Sequence, residues 1–301
     1  MVHEFGLLRR LLKEYSGLHL GDDKEDLLEA RLRPVLRELG LSSAAQLALA
    51  MMRPDAHELR ERVAQAATVQ ETYFFRDKVP FHYFINGMLP KLMARREASR
   101  RIRVWCAAVA TGQEPYSLAI ELAERERQLV GWTIEILATD FVEEALERAR
   151  KGLYSQFEVQ RGLPVSLLVK HFSKIGRGWE IRPNIRAKVT FQTHNLLQDC
   201  TALGRFDVVF CRNVLIYFDD ATKRQVLSRL AAQLAPDGYL VLGAAETPTS
   251  HSSEFRAVPE NHHGVFCFTP MAALAARARE EAEWRKGGIS SSPTRSAVGQ
   301  S

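Results

Sequence analysis

Apolar residues recur at helical spacing through the first seventy positions. Phe5, Leu8, Leu12 and Tyr15 share one face, with Arg9, Arg10 and Lys13 opposite, which predicts an amphipathic helix. Gly17 and Gly21 interrupt it. A second helix is predicted from near Asp22, with acids early and Arg31, Arg33 and Arg37 late, the order a helix dipole favours. Its apolar face is Leu28, Leu32, Val35, Leu36 and Leu39, and Gly40 supplies the stop. Ser42 or Ser43 caps a third helix over 44–52, and a fourth spans about 56–66. Residues 1–70 therefore read as an all-helical domain, whose exposed arginines form a solvated face.

The period then changes. Residues 69–77 carry three adjacent aromatics, Tyr73, Phe74 and Phe75, too many for one helix face, so a buried linker is expected. Its bland reading is a plug that joins two domains, with Arg76 in a structural salt bridge. Phe81, Phe84, Ile85, Met88, Leu89 and Leu92 give one more helix. Short apolar runs now alternate with helical stretches: a strand over 104–108, a helix with Leu118, Ala119, Leu122 and Ala123, and a strand ending on Thr139 and Asp140. A helix over 142–151 follows. Residues 152–188 break the rhythm, with a hairpin over 174–182 turning at Gly176 to Gly178. Strands are expected at Val189–Thr193 and Phe206–Cys211. Asp219 or Asp220 caps a helix reaching Ala235, and Pro236-Asp237-Gly238 turns into a strand over 239–243. A last strand over 265–269 closes the sheet, antiparallel. The division is 1–70, an α/β domain over 71–270 with an insertion at about 155–188, and a tail over 271–301 read as a loosely attached helix and a disordered end.

Composition adds little. Hydrophobic content of 46% and charged content of 26% suit a globular chain. The first residues lack a signal-peptide core and no segment is long enough to span a membrane, so a cytoplasmic protein is expected. Cys106, Cys200, Cys211 and Cys267 form no C-x-x-C pair and read as reduced core thiols, neither zinc ligands nor disulfides. Charge is more telling. Residues 1–70 hold ten Lys/Arg against eleven Asp/Glu, whereas 161–188 hold seven (Arg161, Lys170, Lys174, Arg177, Arg182, Arg186, Lys188) against Glu180 alone. That local excess of six points to an acidic partner.

The candidate chemistry lies at the strand ends. Strand, turn, helix and strand over 104–140 make a βαβ unit with Asp140 at its tip, placed to accept hydrogen bonds from ribose hydroxyls. The turn has one glycine, Gly112, where a dinucleotide fingerprint has three. Glu114 would repel a phosphate at the helix N-terminus and instead suits a cationic ligand; S-adenosylmethionine carries a sulfonium and an ammonium. An ordinary α/β turn with surface acids stays open as the alternative. Arg212 and Asn213 come at the carboxyl end of a second strand, with Tyr217 four residues beyond Asn213.

Glu71-Thr-Tyr-Phe-Phe-Arg76, Ala110-Thr-Gly-Gln-Glu-Pro-Tyr-Ser117, Ala138-Thr-Asp140 and Cys211-Arg-Asn-Val-Leu-Ile-Tyr-Phe218 together resemble the CheR-type chemotaxis receptor methyltransferases, in order and over about residues 5–270. The resemblance implies a fold: a class I S-adenosylmethionine-dependent methyltransferase domain with a Rossmann-like sheet, an all-α N-terminal domain and a small inserted β-subdomain. It implies methyl-ester formation on glutamates of methyl-accepting chemotaxis proteins, whose methylated region is an acidic cytoplasmic helical bundle. By motif position it puts cofactor contacts on Gln70, Thr72, Arg76, Glu114, Asp140, Asn195, Leu196, Arg212 and Asn213, with Arg76 and Tyr217 at the place of methyl transfer. A monomer that neither binds nucleic acid nor enters the membrane is expected. Gln70 stands where the family commonly has Asn, Ala110 replaces a usual Ser, Gln113 a usual Glu, and Gly243-Ala-Ala-Glu246 a common Gly-His-Ser-Glu.

A glutamate acceptor needs no general base, because its carboxylate is ionised at neutral pH. It needs in-line placement and desolvation, and one cation and one hydroxyl suffice to aim it. Two other readings compete. A binding module could hold S-adenosylmethionine without turnover. A nucleic-acid methyltransferase would want an Asn/Asp-Pro-Pro-Tyr-like motif and a broad basic face, and the sequence has neither.

Overall fold

A computed structural model describes residues 4–258 and 265–268; the tail over 271–301 and the last predicted strand residue lie outside them. The chain begins with four helices, α1 (Glu4–Ser16), α2 (Glu25–Glu38), α3 (Ala44–Met51) and α4 (His57–Ala67). Leu8, Leu12, Leu28, Leu32, Leu47, Met51 and Val63 are fully or almost fully buried between them. Ser43 caps α3 by accepting the Gln46 amide. At the end of α2 the Gly40 amide donates to Arg37 O and the Leu41 amide to Leu36 O, the paired bonds of a Schellman stop. Not all the arginines are a solvated face. Arg31 donates to Ala67 O and Arg60 to Met51 O, at 2.8 and 2.7 Å, tying helix ends together.

Past the linker, α5 (Val79–Tyr83) continues through a wide π turn (Phe84–Met88) into α6 (Leu89–Arg95). Pro90 has no N–H to give, and a π turn absorbs the gap. All six apolar residues predicted for this face are buried. There follow β1 (Arg101–Ala107), α7 (Gln113–Ala123), β2 (Thr133–Asp140) and α8 (Glu143–Lys151). The insert holds β3 (Leu153–Ser155), α9 (Gln156–Gln160), α10 (Val165–His171), β4 (Phe172–Ile175), β5 (Gly178–Ile181) and α11 (Pro183–Arg186). The chain closes with β6 (Val189–Thr193), β7 (Phe206–Cys211), α12 (Asp220–Gln233), β8 (Leu234–Leu242), β9 (Phe255–Ala257) and β10 (Val265–Phe268).

Seven strands form one sheet in the order β6-β2-β1-β7-β8-β10-β9. The first five are parallel; β10 is antiparallel to β8 and to β9. Ile102, Val104 and Cys106 of β1 face one core, and Trp105 and Ala107 face the other. Burial on both faces is why the strands read as continuous apolar runs. Strand order reverses beside β1, so the carboxyl ends of β1 and β7 open a crevice there.

Three expectations need correction. The sheet is closed by β9, not by the last strand. The hairpin of the insert has a third member, β3, giving the order β3-β5-β4. Pro236-Asp237-Gly238 is no turn: β8 runs through it, and the register slips between Phe206↔Leu234 and Val208↔Tyr239. The irregularity serves a polar anchor, since Asp237 takes Arg96 Nη1 and Nη2 at 3.1 and 2.5 Å while Asp207 takes Arg96 Nε at 2.8 Å. The linker is buried as expected. Phe74 sits edge-on to Tyr154 and Phe172 of the insert, at 5.0 and 5.5 Å, so it packs the insert against the sheet.

Candidate functional site

A cleft that with its open, solvent-filled mouth takes in about 950 Å³ lies at the carboxyl ends of β1, β2 and β7. All ten residues singled out from the sequence (Gln70, Thr72, Arg76, Glu114, Asp140, Asn195, Leu196, Arg212, Asn213 and Tyr217) line it.

The floor is built by the β1–α7 turn. Gly112 has φ +88°, and a Cβ there would meet the Ala149 methyl at 2.7 Å, so only glycine makes this turn. Asp140, 3% exposed, accepts the Ala110 amide on Oδ2 at 2.8 Å and the Val142 amide on Oδ1 at 2.9 Å. Its carboxylate therefore shapes the turn and, with four lone-pair sites, keeps room to accept a hydroxyl. Burial pushes its pKa up, opposed by those amides.

Glu114 is not the free acid that its position at the start of α7 suggests. It accepts Arg212 Nη1 at 2.8 Å. Burial raises its pKa and the Arg212 guanidinium opposes the rise. Arg212 is itself crowded: Nη2 donates to Asp77 Oδ2 and to Arg76 O, both at 2.7 Å. Arg212 thereby fastens the linker to the sheet, a role for Asp77 that no sequence pattern signals, because the partners are 135 residues apart.

Arg76 shows no structural salt bridge. Among the described residues it makes no ion pair within 4 Å; it donates to Glu71 O at 3.2 Å and lies 5.6 Å from the Tyr73 ring centre. Its charge is left facing the cleft mouth. Tyr217 stands at the same end, its ring packed on the core of the helical bundle, and its hydroxyl has no partner among the described residues. Asn195 donates to Tyr15 O at 2.9 Å and accepts the Leu197 amide, so its side chain ties the wall together. Sequence reasoning missed this wall: Ser16 at the end of α1 and Leu18 of the α1–α2 connection also line the cleft. The His19 amide donates to Tyr217 O at 2.8 Å, and Leu18 bridges antiparallel to Phe218. The only local signal was Gly17, read merely as a break.

Among the described residues three buried side-chain atoms have no hydrogen-bond partner: Gln70 Oε1, Arg212 Nε and Asn213 Oδ1. Orphaned polar atoms are rare and costly, and these three line one cleft. Two acceptors, one donor and two buried carboxylates fit an adenosine with a cationic amino-acid arm, and nothing in the set suits a pyrophosphate. Fold and cleft thus define a class I, Rossmann-like methyltransferase that uses S-adenosylmethionine.

Comparison with known proteins agrees. Residues 3–66 match the family description "CheR methyltransferase, all-alpha domain" and residues 70–263 match "CheR methyltransferase, SAM binding domain". The chain belongs to the CheR methyltransferase family. Chemotaxis protein methyltransferase Cher2 of Pseudomonas putida is 36% identical over 268 residues, 88% of this chain and 94% of that protein. Chemotaxis protein methyltransferase 1 of Pseudomonas aeruginosa is 38% identical over 259 residues, covering 85% and 94%.

The raised carboxyls give a pH dependence. A cationic, hydroxyl-bearing cofactor prefers Asp140 and Glu114 ionised, so its affinity should fall as pH drops through their raised pKa values. The loss should begin above the usual carboxylate range of about 4 to 4.5, with protons released on binding. Calorimetry in buffers of different ionisation enthalpy measures both; affinity that stays flat down to about pH 4.5 would contradict it.

Proposed function

We propose that the chain transfers a methyl group from S-adenosylmethionine to glutamate side chains of methyl-accepting chemotaxis proteins, forming methyl esters. The observation that carries this reading is Arg76, a cation at the cofactor cleft that makes no ion pair within 4 Å among the described residues, in a chain whose relatives are named chemotaxis methyltransferases. S-adenosylmethionine supplies a methyl made electrophilic by its sulfonium. The protein's part is placement. Arg76 draws an ionised carboxylate to the cleft, and the Tyr217 hydroxyl donates to one of its oxygens so that the other points inward. Neither residue has to move a proton. The remaining site residues hold the cofactor: Asp140 takes the ribose, with Gln70, Thr72, Glu114, Asn195, Leu196, Arg212 and Asn213 around it. The enzyme works on the cytoplasmic part of its receptors; among the described residues no helix is long and apolar enough to cross a membrane.

Labelled S-adenosylmethionine and the organism's own receptor fragments test the reaction. Label that enters the receptor and leaves as methanol in mild base supports it. Tight cofactor binding with no transfer to any fragment would favour a binding module instead.

The acceptor's acidity gives the basic insert a role. Arg161, Lys170 and Arg186 are paired with Glu71, Glu124 and Glu180. Lys174, Arg177 and Arg182 are exposed and make no ion pair within 4 Å among the described residues. Reversing these three to Glu should cut receptor methylation about tenfold or more at low salt, mainly by slowing encounter. The deficit should shrink as salt rises, and cofactor affinity should hold. Normal rates at low ionic strength would reduce the segment to a solvated hairpin that guards its edge.

A further inference from the structure

At the end of β8 the chain turns over Gly243 to Glu246, and the Glu246 side chain folds back under the loop that leaves β7. Its Oε2 accepts the amides of Gly243 and Asn213, both at 2.7 Å. Its Oε1 accepts the amides of Val214 and Ile216, at 2.9 and 3.3 Å. One carboxylate, 7% exposed, thus collects four backbone N–H groups from the two loops at the ligand end of the sheet. Asn213 sits among them at φ +59°, a left-handed conformation that must be held in place. Its side chain lines the cleft with the orphaned Oδ1. The short turn to Tyr217 grows from the same amides, with the Tyr217 amide donating to Val214 O at 3.1 Å. Nor is there slack in the turn: a Cβ on Gly243 would lie 2.7 Å from Asn213 Nδ2 and 2.8 Å from Glu246 Oε2.

We infer that Glu246 is a positioning residue for methyl transfer. It does not line the cleft, and it sets Asn213 against the cofactor and Tyr217 against the acceptor through their backbone. The chemistry is specific to an ionised carboxylate. Four donors occupy both oxygens, so a glutamine or a protonated acid would turn a donor toward a donor. The Tyr217 half of this inference rests on the methyl-transfer reading above; the Asn213 half rests on cofactor binding alone.

The test compares Glu246→Gln, Glu246→Asp, Tyr217→Phe and the two double variants in the full-length protein, each assayed well below its melting temperature. Glu246→Gln should weaken S-adenosylmethionine binding about three- to tenfold by calorimetry, because Asn213 shifts. It should also lower kcat at saturating cofactor by about tenfold or more, with a further loss of less than about threefold on the Tyr217→Phe background, since both changes spoil one element. Glu246→Asp keeps the charge and should retain more of both activities, so it serves if the glutamine variant does not fold. Losses in kcat that multiply independently with Tyr217→Phe would overturn the Tyr217 half. Unchanged cofactor affinity in both Glu246 variants would overturn the Asn213 half. A wild-type protein that binds cofactor but methylates no receptor fragment refutes the reaction and with it the Tyr217 half; the calorimetry still decides the rest.

Discussion

Arg76→Ala should lower methyl transfer to receptor fragments by about a hundredfold while the protein stays folded, the size of loss that follows when a reacting group is misplaced by about 1 Å. The two effects separate because of what Arg76 touches. Its contacts with the chain are one long hydrogen bond to Glu71 O and a distant ring contact with Tyr73, together about 1 kcal/mol or less. It lines the cleft and makes no ion pair within 4 Å among the described residues, though Glu71 and Glu114 feel its charge at longer range. Tyr217→Phe should act in the same direction and more weakly, because the ring that packs on the helical bundle is kept and only the hydroxyl goes. Initial rates at saturating cofactor, beside thermal melts, measure both. A protein that melts on Arg76→Ala yet is fully active as Tyr217→Phe would make both residues structural.

Asp140→Ala should cost the cofactor site about a hundredfold in affinity, from one or two charge-assisted hydrogen bonds worth roughly 1.5–3 kcal/mol each. The geometry gives the change a second consequence. The Ala110 and Val142 amides, which Asp140 now accepts, lose their partner in a buried turn, so melting should fall as well. Titration calorimetry below the lowered melting point isolates the binding term. Unchanged affinity there would remove Asp140 from the ribose and leave it as a brace for the turn.

How far the sequence could be read follows from where each signal lies. β1 and β7 are buried on both faces over most of their length and bounded by polar turns, so each stands out as an apolar run. α1 to α4 carry their apolar stripes in nearby residues, and α3 carries its Ser43 cap beside it. β8 was misread because Pro236 and Gly238 are turn residues by local rule, and only the Arg96–Asp237 pair explains why a strand runs through them. β3 and β9 are three residues each, too short to show a period. In the site, Gln70, Asp140, Arg212 and Tyr217 sit at strand ends or inside a motif and could be picked out one by one. Glu114 shows the limit. Its place at a helix start reads as a free acid, and its partner Arg212 is 98 residues away. Glu246 and the α1–α2 connection act through backbone amides, which leave no mark on side-chain pattern.

The end of α1 and its connection to α2 are sewn to the catalytic half at several points: Leu18 to Phe218, His19 to Tyr217, Tyr15 to Asn195, and Lys13 to Asp219 at 2.5 Å. An engineer exchanging domains between relatives would be tempted to move the helical bundle as a cassette. The seam does not run between residues 67 and 70. It runs through residues 13 to 19, which finish the wall of the cofactor cleft although they come first in the chain. A graft that cuts at the linker would carry a foreign wall into the catalytic centre, so residues 13 to 19 have to be kept native in any exchange of the bundle.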